Sequence, residues 1–417
     1  MSFTGGLCVP VAVKELLERP GYFTKADGGA FLREFYIKES VKFDPFKLSR
    51  FAQAVFCGHY DLVKQAVDNG VSPDLTGTET PFLYGYATIL VLGAQRIMQA
   101  RPGSFRFSET LELLLSRGVP ANIADILGCT VLHHSNSLLS SNKGLFQCLL
   151  RHCADPARRN RFGEVCLVGA LHHGNLSMLS VLLDVNVDFT LEDADGYSAW
   201  KHFPTCGSQV VAMVMKWDRK RTGTSAAYED KVCDNCGERR ASLKICSRCK
   251  LVRYCSVCCQ AAQWAHHRTL CKPFSTANSA RVVPYFSSIM TSTTAQQRSR
   301  LPAMCLYPES AHGLGTAVIP MAQVPKDLVL GPKTLVVKIQ VACSGDITGM
   351  ADLMVYTKKH HFACMIRRCD GVEGYQRIKD VIRSRGPGGL KAYFVAVLLS
   401  EDCLLVRVSD VLAEQQW

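Results

Sequence analysis

The sequence has no long apolar run. No stretch of about 18 apolar residues occurs among its 417 residues, and a helix needs roughly that many to cross a bilayer, so the composition argues against a membrane span. The N-terminal residues Met1 to Pro10 also lack the basic segment and long apolar stretch of a secretory signal. We therefore expect an intracellular protein, in the cytoplasm or the nucleus.

Cysteine, in contrast, is abundant. Of the 20 cysteines, eight lie within the segment 233–271, and the other twelve are scattered singly through apolar segments. A disulfide framework would distribute paired cysteines through a small secreted chain, which is not the pattern here. The distribution indicates a reducing compartment, with clustered thiolates used for metal and the remaining cysteines packed as small hydrophobic residues.

The first half of the chain repeats a pattern in which an apolar helical stripe ends in a turn. The turns begin at Asn69, Arg117, His152 and Val185, with a longer first step and two nearly equal later steps. Gly70 and Gly118 suit the left-handed conformation that ends a helix, and Asn186 is the next best residue for it, whereas Cys153 is a poor substitute. A second set of turns, at Gly128, Gly163 and Gly196, repeats the two later steps.

This pattern resembles the ankyrin repeat, a turn and two antiparallel helices in about 33 residues, a period that the later steps match closely. The resemblance covers residues 47–215 as four repeats and a degraded fifth, and the longer first step predicts an insertion around Ala100 to Ser108. It implies an all-α solenoid, because each helix pair can bury its apolar face only against its neighbours. It also implies a concave surface that binds other proteins.

The clustered cysteines follow a metal-ligand spacing. The pattern is Cys233-x2-Cys236-x9-Cys246-x2-Cys249-x5-Cys255-x3-Cys259-x7-His267-x3-Cys271. Seven thiolates and one imidazole supply two closed tetrahedral sites, and zinc is the usual metal for such sets. No coordination position stays open, so we expect two structural zinc ions and a segment that folds only with them.

The segment resembles the MYND finger family. The resemblance rests on the ligand spacing and on Tyr254-Cys255-Ser256, Cys259-Gln260 and Gln263-Trp264-x-x-His267. It implies interleaved sites, in which Cys233, Cys236, Cys255 and Cys259 hold one ion and Cys246, Cys249, His267 and Cys271 hold the other. Two neighbours leave alternatives open, since Cys258 adjoins Cys259 and His266 adjoins His267.

The MYND resemblance also implies a partner. Such fingers are typically protein-interaction modules that grip short proline-containing peptides between an aromatic and a polar residue. Trp264 and Gln260 occupy the matching positions, although Trp264 could equally serve as the core of so small a module. Residues 216–275 hold 13 Lys and Arg against 5 Asp and Glu, but two Zn²⁺ and seven thiolates reduce their net charge to about +5. We therefore expect no direct binding to nucleic acid.

The remaining segments complete a multidomain chain. Residues 1–46 contain two helical stretches that we expect to cap the first repeat, and the finger domain spans 228–272. Residues 273–329 are predicted to form a linker, because residues 273–300 are rich in Ser, Thr, Ala and Gln. Residues 330–417 are predicted to form an α+β domain without a recognised family or a catalytic constellation. The predicted strands are Thr334 to Ala342, Leu353 to Tyr356, His361 to Ile366, Lys391 to Leu399 and Cys403 to Val408, with a helix from Tyr375 to Ser384.

These features predict a non-enzymatic interaction adaptor, such as a transcriptional or signalling scaffold. The alternative is a lysine methyltransferase, because MYND fingers also sit inside SET-domain enzymes. Those enzymes need an Asn-His motif and a third cysteine-rich zinc cluster after the finger. Residues 272–417 contain no Asn-His pair, and their five cysteines are widely spaced. No helix-turn-helix or one-ion zinc pattern supports direct contact with DNA either.

Overall fold

The computed structural model describes residues 3–97, 105–136, 143–224, 226–228, 230, 232–240, 242–286, 331–341 and 352–415. Of these, the residues up to Val210 form one compact unit and those from Val211 form another. Within the described ranges, no helix combines the length and the apolar character that crossing a membrane requires.

The first unit is helical. Its helices are α1 (Val11–Glu18), α2 (Ala30–Ser40), α3 (Arg50–Phe56), α4 (Tyr60–Asp68), α5 (Tyr86–Arg96), α6 (Phe107–Ser116), α7 (Val131–His134), α8 (Lys143–Arg151), α9 (Cys166–His172), α10 (Leu176–Asp184) and α11 (Ala199–His202). Two short strands, β1 (Thr78–Glu79) and β2 (Tyr84–Gly85), form a hairpin. Helices α3, α5, α7, α9 and α11 pack in one row, and α4, α6, α8 and α10 pack in a second row. The longer helix α12 (Ser208–Thr222) follows.

Three turns in the helical unit have the same structure. Asp125, Asn160 and Asp193 each use one side-chain oxygen to accept two backbone N–H groups, from the residues two and four positions later. A glycine with φ of 76° or 77° completes each turn, at Gly128, Gly163 and Gly196. The predicted spacing of these glycines therefore marks a repeated structural unit, since only glycine adopts this backbone conformation without steric cost.

The N-terminal segment lies across several turns of the helical unit. The Phe23 N–H donates to the Arg161 carbonyl (2.8 Å), and the Lys25 N–H donates to the Asp195 carboxylate (3.0 Å). Arg33 forms an ion pair of 3.0 Å with Glu164, and both side chains are buried. The segment that the sequence predicts to cap the first repeat thus packs on turns in the later part of the helical unit.

The second unit contains the finger and a sheet domain. The finger consists of β3 (Lys244–Ile245), β4 (Arg253–Tyr254) and α13 (Val257–Leu270). The sheet domain consists of β5 (Ser279–Val282), β6 (Pro284–Tyr285), β7 (Lys333–Gln340), β8 (Leu353–Tyr356), β9 (Ala363–Ile366), α14 (Val372–Arg385), β10 (Lys391–Ser400) and β11 (Cys403–Arg407). The strands after residue 330 and the helix α14 agree with the predicted pattern to within a few residues.

The sheet is barrel-like. Its seven strands run in the order β5-β11-β10-β7-β8-β9-β6, and every pair is antiparallel. The two end strands β5 and β6 are separated in sequence by Val283 alone, so the chain itself joins the two edges of the sheet. Tyr375, Ile378 and Ile382 of α14 are fully buried in the core that the sheet encloses.

The predicted linker at 273–329 is wrong in its first part. Ser279–Val282 pairs with β11, with Val282 opposite Leu404, and Pro284–Tyr285 pairs with β9. The Asn278 carbonyl also accepts the backbone N–H groups of Val408 and Ser409. Residues 273–286 thus belong to the sheet domain. The rest of the predicted linker lies outside the described residues, as does most of the predicted insertion around Ala100 to Ser108.

Candidate metal centre in the finger

The finger brings its eight predicted ligands together in two groups. One group is Cys233, Cys236, Cys255 and Cys259, and the other is Cys246, Cys249, His267 and Cys271. Within each group the ligand atoms all lie within 4.8 Å of one another. These are the two interleaved sets that the MYND resemblance implied. The neighbouring Cys258 belongs to neither set and is exposed.

Two tight turns and one helix position the ligands. Gly237, with φ of 73°, closes the first turn by donating its N–H to the Cys233 carbonyl (2.8 Å). Lys250, with φ of 59°, closes the second by donating to the Cys246 carbonyl (3.0 Å). Ser256 caps α13, where its hydroxyl accepts the Cys259 N–H (3.1 Å). These turns aim paired sulfurs at one point, and α13 with the residues that flank it supplies the remaining ligands of both sets.

The ligand separations fit zinc. The Sγ atoms of Cys236 and Cys255 are 3.7 Å apart, and those of Cys246 and Cys271 are 3.9 Å apart. Zn–S bonds of about 2.3 Å in a tetrahedron place two sulfurs about 3.8 Å apart. The Cys249 Sγ lies 3.6 Å from the His267 Nε2, which suits a mixed pair of sulfur and nitrogen ligands. Each group can therefore hold one zinc ion in a closed site.

The electrostatics of the sulfurs also favour a cation. Burial acts to raise the pKa of Cys233, but the backbone N–H groups of Cys236, Cys255 and Asn235 outweigh it and lower that pKa to about 6. In the same group, a hydrogen bond to Cys259, followed by burial, raises the pKa of Cys255 to about 12. Sulfurs this close cannot all ionise by themselves, because the thiolate charges repel one another. A divalent cation between them offsets that repulsion, and its binding displaces the thiol protons.

The ligands form much of the finger's core. Cys233, Cys246 and Cys249 are buried together with Tyr254, and partly buried neighbours such as Leu251 pack against them. So small an apolar core cannot stabilise the segment alone, so the fold depends on the metal. The ring of Trp264 lies 5.9 Å from the ring of His267. Trp264 is half-buried and lies outside the cluster of buried residues.

The predicted peptide-contacting residues share one face of α13. Gln260 and Trp264 are both half-buried and stand one helical turn apart. Between them, the Gln263 amide donates to the Asp234 carbonyl (2.8 Å), which fixes the helix against the first metal-binding turn. The structure thus places both residues beside the zinc sites, in positions that solvent reaches in part.

Sequence reasoning missed how the finger is held. Arg407 of β11 donates to the carbonyls of Cys249 (3.2 Å) and Lys272 (2.8 Å), although Cys249 is 158 positions away. Its guanidinium is buried and also pairs with Asp410 at 2.7 Å. Leu251 of the finger packs against buried Tyr393, Val395 and Leu412 of the sheet domain. No local sequence signal marks such a contact.

Comparison with known proteins agrees with this geometry. The family described as MYND finger matches residues 233–271. A ubiquitin carboxyl-terminal hydrolase 19 from Arabidopsis thaliana is 34% identical over 105 residues, which cover 24% of this chain and 15% of that protein. A SET domain and MYND-type zinc finger protein 6 from Schizosaccharomyces pombe is 32% identical over 54 residues, covering 13% of this chain and 11% of the relative.

A SET and MYND domain-containing protein from Dictyostelium discoideum is 43% identical over 58 residues, covering 12% of this chain and 11% of the relative. The chain thus spans no more than 15% of the length of these three relatives. The ligand spacing, the two ligand groups and the family match together show that residues 233–271 are a MYND-type zinc finger.

Proposed function

We propose that this protein is a non-enzymatic adaptor in which an ankyrin-type array and the MYND finger each bind protein partners. The observation that carries the proposal is the pair of closed ligand groups in the finger. Four protein ligands around each zinc leave no position for a substrate or a water molecule, so the metal stabilises a surface and takes no part in chemistry.

The repeated turns support the ankyrin part of the proposal. The Thr130 hydroxyl and the His133 ring form a reciprocal cap at the start of α7. His133 Nε2 also lies 3.1 Å from the Glu164 carbonyl in the next turn. Successive turns are joined as well, since the Arg161 N–H donates to the Leu127 carbonyl. Repeated turns that also bond the next turn are what stacking of ankyrin units requires.

The face of α13 that carries Gln260 and Trp264 supports binding of a proline-containing peptide. An indole offers a flat apolar surface on which proline rings stack, and a side-chain amide can bond the backbone of an extended peptide. A proline-rich peptide is already extended, so less conformational entropy is lost on binding. This surface is the adaptor's proposed peptide groove.

The test is a Gln260→Ala variant of the full chain. We expect it to weaken capture of proline-containing peptides while zinc content and thermal stability stay unchanged, because the structure gives the Gln260 amide no role in either zinc site. His266→Ala is the matched control, since His266 is exposed on the same helix and belongs to neither ligand group. Full-strength binding by the Gln260→Ala protein would remove the groove from the proposal.

The methyltransferase alternative draws its support from two relatives whose names include a SET domain, each matched over a small part of its length. Among the described residues of the sheet domain, no three His, Cys, Asp or Glu side chains lie close enough together to hold a metal ion. That part of the chain therefore does not supply the third zinc cluster that this alternative requires. A methyl-transfer assay on the full chain separates the two, and turnover above background would overturn the adaptor proposal.

A further inference from the structure

A third group of metal-ligating side chains lies outside the finger, in the helical unit. The group consists of Glu112 on α6, Cys148 on α8 and His152 immediately after α8. Their ligand atoms all lie within 4.8 Å of one another, and the structure groups no other His, Cys, Asp or Glu side chains of its described part in this way apart from the finger. Glu112 lies 36 and 40 positions before Cys148 and His152, so no local spacing motif predicts the group.

The packing of the helices creates the group. Helices α6 and α8 lie side by side in the second row of the array. Cys148 and His152 are four positions apart and therefore project from the same side of the chain. The Glu112 carboxylate stands between them, with Oε1 2.9 Å from His152 Nε2 and Oε2 3.3 Å from Cys148 Sγ.

The chemistry of the three ligands matches zinc. Thiolate, imidazole and carboxylate are its three protein ligand types, and three protein ligands leave a fourth position for water. Tetrahedral zinc separates such ligand atoms by about 3.3–3.6 Å, so the side chains need to open by only a few tenths of an ångström. Cys148 is buried, whereas Glu112 and His152 are half-buried, so an ion can enter from solvent.

We propose that Glu112, Cys148 and His152 bind one zinc ion in an exchangeable site. A thiolate and a carboxylate neutralise the two charges of the ion. Hydrogen bonds from His152 and Cys148 lower the pKa of Glu112, so the carboxylate is ionised at neutral pH. Burial and Glu112 raise the pKa of Cys148 to about 12, so zinc displaces the thiol proton and binding releases one proton to solvent.

Arg151 weakens the site. Its guanidinium lies 3.0 Å from Glu112 Oε2, where it competes with a metal ion for the carboxylate. Its side chain is 68% exposed and can turn into solvent when zinc binds. Competition and a water-filled fourth position make this site weaker than the two closed sites of the finger. The same competition predicts that Arg151→Gln tightens zinc binding, which the loss of a merely structural ion pair would not do.

The experiment measures zinc per full-length chain after equilibration with excess free zinc. We expect three ions in the wild-type protein, two in Cys148→Ser, and three in the control Cys57→Ser, which removes a thiol outside all three groups. Arg151→Gln should keep the third ion at lower free zinc than the wild type does. His152→Ala, which alters a half-buried side chain, covers the case in which Cys148→Ser fails to fold.

Cobalt provides a second readout. Co²⁺ added to the zinc-loaded chain should occupy the exchangeable site and give a thiolate charge-transfer band, which Cys148→Ser loses. The proposal is overturned if the wild type stays at two ions, or if the third ion persists in both Cys148→Ser and His152→Ala. It is independent of the adaptor function, since none of these variants alters the finger.

Discussion

At the scale of single residues, two adjacent cysteines have opposite roles. The Cys259 Sγ lies 3.3 Å from the Cys255 Sγ in the first ligand group, whereas Cys258 is exposed and outside both groups. We expect Cys259→Ser to release zinc and unfold the finger, and Cys258→Ser to leave both zinc content and stability nearly unchanged. Elemental analysis and thermal unfolding of both variants check this, and the reverse result would show that the ligand register is wrong.

A second residue-scale prediction concerns acid stability. Burial, followed by the charge of His172, lowers the pKa of His202 from 6.5 to about 4. The unfolded chain therefore takes up this proton at a higher pH than the folded chain does. The stability that His202 contributes is complete above about pH 6.5 and is lost as the pH falls towards 4.

The check is the free energy of unfolding measured between pH 7 and pH 4. His202→Phe should flatten the pH dependence, because phenylalanine keeps a ring stacked against His172, whose ring centroid is 6.0 Å away, and cannot take up a proton. An unchanged slope would mean that His202 does not titrate in this range. Burial lowers the pKa of His133 to about 4 as well. Its contribution to the pH dependence is the same in the wild type and in His202→Phe.

The residue scale also shows what the sequence can reveal. All eight finger ligands could be predicted because they lie within the short segment 233–271 at spacings that tight turns impose. The cluster of Glu112, Cys148 and His152 could not, because two stacked helices bring its members together. The buried contacts of Arg407 escaped for the same reason, since their partners are 135 and 158 positions away.

At the scale of elements, local patterns predicted strands and helices better than connections. Leu353–Tyr356 has the predicted bounds, because its apolar residues and flanking turns are local features. Ser279–Val282 falls within the predicted linker because the segment around it is rich in Ser, Thr, Ala and Gln. Pairing with β11 makes it a strand, and that pairing joins segments far apart in the chain.

The attachment of the finger to β11 gives an element-scale prediction. The Arg407 guanidinium is 2% exposed and donates to the carbonyls of Cys249 and Lys272. Lysine cannot reproduce these two bonds together with the pair to Asp410. Arg407→Lys should therefore destabilise the second unit by about 2–4 kcal/mol.

Urea unfolding of the full chain measures the effect of Arg407→Lys. The control is Arg383→Lys, at an exposed position on α14. Arg407→Lys should also release zinc to a chelator faster than the wild type does, because Arg407 bonds the carbonyl of Cys249, a ligand of the second ion. Equal stability of the two variants would show that the Arg407 contacts contribute little.

At the scale of the whole molecule, the finger and the sheet domain are parts of one compact unit. The last residues of the sheet domain contact the segment that precedes the finger, since the Ala413 N–H donates to the Ala227 carbonyl (2.8 Å) and Arg219 pairs with the Glu414 side chain at 2.7 Å. The Tyr228 hydroxyl in turn donates to the Lys250 carbonyl beside the second ligand group (2.7 Å). A segment held in this way depends on the finger for part of its order.

Removal of zinc should therefore lower the local stability of the sheet domain. When a chelator strips the finger, the carbonyls of Cys249 and Lys250 lose their fixed positions, and Arg407 and Tyr228 lose their acceptors. We expect faster amide hydrogen exchange in β11 and in residues 411–415, because local stability follows the contacts that each segment keeps. Strands β8 and β9 pair with each other and not with β11, so they serve as the internal control. If the amide exchange rates of β11 and residues 411–415 are the same before and after chelation, in a sample whose zinc loss has been measured, the sheet domain folds without support from the finger.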